Sequence, residues 1–74
     1  MRYTTEKVEQ ASAMIAESER RILRQRRRVE KLLVERQPAD DAQAQLLIME
    51  ESLLEMTRYL TTLVKDLEGS DVSL

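Results

Sequence analysis

The chain has 74 residues, 35% charged and 3% aromatic, with a formal net charge of −2, one glycine, one proline, and neither cysteine nor histidine. That composition excludes a disulfide framework, a thiolate metal site and histidine-based acid–base, metal or phosphoryl chemistry. It is the usage of long helices rather than of a β or mixed fold, and the length allows one small domain over 1–74.

The first helix is expected at about 4–36, with Thr4 or Thr5 at its start, Glu6 in its first turn, and Tyr3 and Val8 spaced as a hydrophobic staple. The opening stretch MRYTTEKVEQ lacks the apolar run of a signal peptide, no stretch is apolar enough to span a membrane, and the reading is a cytoplasmic protein. The one internal breaker is QPAD, so a turn is expected at about 37–40. Asp40 and Asp41 then place acid at the start of a second helix, where the helix dipole favours it, and Asp40 with Gln43 has capping-box spacing. That helix is expected over about 40–68, ending on Gly69 as a left-handed cap, with a frayed tail over 69–74.

Apolar residues recur on a heptad in both helices. Val8, Ile15, Ile22 and Val29 take a positions, followed at d by Ala11, Ser18, Gln25 and Leu32. Leu46, Leu53, Leu60 and Leu67 take a positions in the second helix, followed at d by Met49, Met56 and Leu63. A short turn makes the helices antiparallel, so the fold is an all-α, antiparallel two-helix hairpin with coiled-coil heptads. One register pairs Ala11 with Leu67, Ser18 with Leu60, Ile22 with Met56, Gln25 with Leu53 and Leu32 with Leu46. A slip of half a heptad is its alternative.

A second apolar stripe lies beside this seam, at b and e positions. It comprises Ala16, Leu23 and Leu33 from the first helix and Leu47, Leu54, Thr57, Thr61 and Val64 from the second, with Glu19, Arg26 and Glu30 mixed among them. A broad apolar face on so small a chain calls for a partner, and a second copy gives an antiparallel four-helix bundle with a two-fold interface. Val34 and Met14 extend that face, whereas Ile48 and Tyr59 point elsewhere. Arg26 can meet Glu19, Glu30 or Glu50 there.

The stretch RRILRQRRR over 20–28 raises the question of nucleic acid. Residues 1–36 carry a net +4 and residues 39–74 a net −6, so the helices complement each other. At about 100° per residue, Arg20, Arg24, Arg27 and Lys31 form one outward line, and Arg21 and Arg28 flank the seam. Glu17 with Arg21 and Lys31 with Glu35 are favourable i,i+4 pairs that bound the stripe. No aromatic interleaves with the basic residues for base stacking, and no DNA-binding motif is present. The stripe therefore reads as solvated surface, suited to an acidic protein partner before nucleic acid; the rival function is a nucleic-acid-binding accessory protein using Arg20, Arg24, Arg27, Arg28 and Lys31.

No catalytic constellation appears. Ser12, Ser18 and Ser52 have no base, no lysine sits in an apolar pocket, and one glycine builds no phosphate loop. Glu50, Glu51 and Glu55 lack the histidine of a carboxylate-bridged metal bundle, and Glu51 and Glu55 point outward. The chain reads as no enzyme and as needing no cofactor or metal.

The segment IAESERRILRQRRRVEKL (15–32), a short turn, and LLIMEESLLEM (46–56) resemble a group of small uncharacterised alphaproteobacterial proteins with an AE-x-ERRI-x-RQR first helix. The resemblance covers about residues 11–65. It implies bacterial, cytoplasmic helical hairpins and implies no activity. Members of that group often carry a Gly-His-Asp-like turn and histidines in the second helix; QPAD and the absence of histidine depart from this, so no role of those histidines transfers.

Overall fold

The computed structural model describes residues 2–72, and side chains over 5–68. Two helices fill that span, α1 over Arg2–Val34 and α2 over Asp40–Val72. Both come from stretches with no proline and, until Gly69, no glycine, so nothing interrupts the hydrogen-bonded ladder. They pack against each other as a rod of 60 × 15 × 13 Å. Its radius of gyration, 17.1 Å, exceeds the ~11 Å of a compact chain of this length, because a single pair of helices has no second layer to fold against. No helix among the described residues is long and apolar enough to cross a membrane.

The connection is a Schellman motif. Gln37 N–H donates to the Leu32 carbonyl at 2.9 Å, and Arg36 N–H donates to the Leu33 carbonyl at 3.1 Å. Arg36 is left-handed, with φ 55, where glycine is the usual occupant. Pro38 follows and prevents the helix from resuming before residue 40.

Three expected ends differ. α1 already runs through Thr4 and Thr5, so neither is its N-cap, and the staple partner Tyr3 has its side chain outside the described residues. The cap of α2 is Ala39, whose carbonyl accepts from Gln43 N–H at 2.8 Å, and the Asp40 side chain makes no capping bond. Asp40 and Asp41 still lie in the first turn, where their charge suits the dipole. Gly69 is no left-handed cap: α2 continues through it to Val72, since glycine tolerates helical angles at ~1 kcal/mol and neither Ser70 nor Asp71 breaks a helix.

The most buried apolar residues are Ala11, Ile22, Val29, Ala39 and Ala42. The other heptad residues (Val8, Ile15, Leu32, Leu46, Met49, Leu53, Met56, Leu60, Leu63 and Leu67) are half-buried, as a two-helix seam leaves one side of each open. Ala39 and Ala42 continue the a and d positions of α2 one heptad before Leu46 and Met49, and they are buried because α2 starts hard against the end of α1.

That close start moves the register. Gln25 meets Ala42 and Gln45, not Leu53. Ser18 Oγ lies 3.8 Å from Met56 Sδ, not beside Leu60, and Ala11 shares a groove with Met56 and Tyr59, not Leu67. Ile22 sits between Met49 and Met56. The pairing is displaced by about one heptad from the expected one. With small alanines at 39 and 42 the helices close immediately after the turn, and each residue of α1 meets an earlier part of α2.

Candidate functional site

The stripe on α1 is organised by one carboxylate. Arg20 donates to Glu17 Oε2 from Nε at 3.2 Å and Nη2 at 2.8 Å. Arg21 and Arg24 reach the other oxygen at 3.4 and 3.9 Å. The hydrogen bond from Arg20, then its charge and those of Arg21 and Arg24, hold the Glu17 carboxyl below the ordinary glutamate range. Two members of the outward line, Arg20 and Arg24, therefore share an internal counter-ion. Arg27, Arg28 and Lys31 make no ion pair among the described residues, and the expected pair of Lys31 with Glu35 is not formed.

On the b/e side, Leu23, Leu33, Leu47, Leu54 and Val64 stand 36–58% exposed, and Ala16 is half-buried. Of the three acids within reach, Arg26 takes Glu50, donating from Nη2 at 2.8 Å across the hairpin. The pair cancels both charges in the middle of the face. Thr57 and Thr61 donate their hydroxyls to the carbonyls of Leu53 and Thr57 at 2.9 and 3.0 Å. Back-bonding of this kind leaves no hydroxyl donor for a partner to satisfy. The face thus presents apolar surface with its hydroxyls and its one arginine already paired, flanked by the exposed carboxylates of Glu19 and Glu30.

The other side of the seam carries a feature that the heptad reading left unexplained. Met14 and Tyr59 line one groove with Ala11 and Met56, and Ile48 lines the next with Ser52 and Arg21. Met14 therefore belongs to this side, not to the b/e face. The sequence signal was present in g and c positions, where Met14, Ile48 and Tyr59 replace the charged residues usual at such places. The groove at Met14 encloses about 200 Å³, less than the ~300 Å³ of a small-molecule site.

Chemistry of the catalytic kind finds no geometry among these side chains. The Ser18 hydroxyl faces the Met56 thioether and no base. Among the described residues no three acidic side chains gather to hold a metal ion, and Glu51 and Glu55 are exposed. Comparison with protein-family models, curated proteins and solved structures finds no match for the chain.

Proposed function

We propose that this chain is a non-enzymatic interaction module of the bacterial cytoplasm, a hairpin that pairs with a second copy through its b/e face and offers its charged outer faces to a protein partner. The observation that carries the reading is the uncovered face of Leu23, Leu33, Leu47, Leu54 and Val64, neutralised at its centre by Arg26 and Glu50. The accessible surface is 6128 Å², against ~4,700 Å² for a compact chain of this mass. The surplus of ~1,400 Å² is more than enough for a stable two-fold interface, which removes ~600–1,000 Å² from each partner. A second copy fits this face because its apolar residues run along both helices and its one cation, Arg26, is already paired with Glu50. Pairing gives a four-helix bundle and supplies the second layer that the rod lacks.

Sedimentation equilibrium tests the proposal: the mass expected is twice the 8.7 kDa of the chain. Leu54→Asp places a charge on the face without touching the seam and is expected to return the mass to one chain. A single-chain mass for the wild type, or a Leu54→Asp variant that stays paired, refutes it.

The unpaired state of Arg27, Arg28 and Lys31 supports a second reading, a nucleic-acid-binding accessory protein. That reading requires a gel shift that weakens steeply with salt and is lost on charge reversal at Arg24 and Arg27. Absence of a shift at low salt excludes it.

A further inference from the structure

Opposite the b/e face, the g and c positions are segregated by charge. Their α1 wall holds Lys7, Arg21, Arg24, Arg28 and Lys31 against Glu17 and Glu35, five cations against two carboxylates and a net +3. Their α2 wall holds Asp41, Glu55 and Asp66 and no cation, a net −3. The hairpin does not close these charges on one another. Arg21 and Arg24 take Glu17 from within α1, and Arg28, Lys31, Asp41 and Glu55 make no ion pair among the described residues. The α2 side chain beside Arg21 in the groove is Ser52, not a carboxylate. Between the walls Met14, Ile48 and Tyr59 stand 59%, 65% and 51% exposed.

We propose that this side is a second contact between copies of the chain, made about a two-fold axis that runs along the rod and lays α1 of one copy over α2 of the other. That axis sets each basic wall on an acidic one. An axis across the rod lays α1 on α1 and α2 on α2, like charge on like. The lengthwise axis also keeps both turns at one end and every level in place. In each hairpin Arg21 stands level with Ser52, and Met14 shares its groove with Tyr59. Across the axis Met14 therefore meets the ring of Tyr59, a favourable contact for a thioether. Lys31 comes within a residue of the level of Asp41, and Glu55 lies three residues beyond that of Arg21, the stagger at which Arg26 and Glu50 bond within one chain. The b/e pair uses ~600–1,000 Å² of the ~1,400 Å² surplus, which leaves roughly 400–800 Å² for this contact. The contact does not depend on the b/e pair. Because the two faces lie on opposite sides of the hairpin, it stacks pairs on pairs.

Sedimentation equilibrium of the full chain at two salt concentrations tests it. Near 0.5 M salt exposed charges are screened within about 4 Å, so the mass there reads the b/e face alone and is expected at two chains. Near 0.02 M salt, roughly, screening is weak and the mass is expected to exceed two chains and to rise with protein concentration. Two variants carry the charge pattern: Arg28→Glu with Lys31→Glu makes both walls acidic, and Asp41→Lys makes both basic where these residues meet. Each alone is expected to stay at two chains at low salt. Their equimolar mixture is expected to regain the growth, because each wall then meets its opposite in the other variant. A wild-type mass that is the same at both salts, growth retained by either variant alone, or a mixture no heavier than its parts overturns the proposal. Leu54→Asp separates the two faces, with two chains expected at low salt and one at high salt. One chain at both salts overturns the g/c contact and leaves the b/e face standing; two chains at high salt refute the b/e face instead.

Discussion

The side-chain amide of Gln25 donates to the main-chain carbonyl of Ala42 across the hairpin, at 2.9 Å, and reaches Gln45 Oε1 at 3.4 Å. A glutamine at a d position looks like a flaw in an apolar seam. In the structure it is half-buried and fastens the middle of α1 to the first turn of α2. A hydrogen bond to a particular carbonyl can be made in one register only, whereas leucine meets leucine in several.

Gln25→Ala is therefore expected to lower stability by ~1 kcal/mol in urea denaturation, the ordinary worth of such a bond. The register itself is checked by oxidation, because the chain has no cysteine of its own. Ser18→Cys with Met56→Cys is expected to oxidise more readily than Gln25→Cys with Leu53→Cys, since Met56 Sδ reaches to 3.8 Å from Ser18 Oγ and so places the two positions near one level of the seam. The opposite pattern restores the register expected from the heptads.

Arg36 holds the left-handed position of the Schellman turn with a Cβ that crowds the following carbonyl. Arg36→Gly removes that conflict and is expected to stabilise the hairpin by ~1 kcal/mol, read as a higher urea midpoint. Arg36→Val, branched at Cβ, moves the midpoint the other way. A neutral glycine variant means that the turn relaxes out of the left-handed region in solution.

Glu17 titrates below the ordinary glutamate range because Arg20 hydrogen-bonds it and Arg20, Arg21 and Arg24 surround it. Its folded value is lower than its unfolded value, so its contribution is complete above the ordinary glutamate value. That contribution is lost as pH falls through the lowered folded value. Carbon-detected NMR titration of the Glu17 carboxyl is expected to give a midpoint below the ordinary range, and Arg20→Ala moves it back up. Glu17→Gln removes this part of the acid dependence of helicity; an unchanged acid limb means that the cluster is too well solvated to matter.

Thr57 spends its hydroxyl on the Leu53 carbonyl of its own helix. Thr57→Val is therefore expected to keep the paired mass and tighten pairing by up to ~1 kcal/mol, the scale of one buried methyl, measured by sedimentation over a dilution series. Weaker pairing in that variant means that the hydroxyl bonds across the interface.

Much of this molecule is legible in its sequence, and the reason is periodicity. Val8 to Val29 and Leu46 to Leu67 mark one face of each helix, and Pro38 separates the two, so an all-helical hairpin follows from spacing alone. The same spacing leaves the translation of one helix along the other undetermined, because a shift of seven residues maps each stripe onto itself. What lifts that degeneracy is particular to three dimensions: Ala39 and Ala42 buried at the turn, Arg36 accepting a left-handed conformation, and Gln25 finding the Ala42 carbonyl. The same holds for the surfaces. Helical spacing already sets Arg20, Arg21 and Arg24 beside Glu17 on α1, but only the packed pair shows that Glu50 is the acid that Arg26 takes and that Met14 and Tyr59 share a groove. Each of these depends on where side chains far apart in sequence come to lie, which a local pattern does not encode.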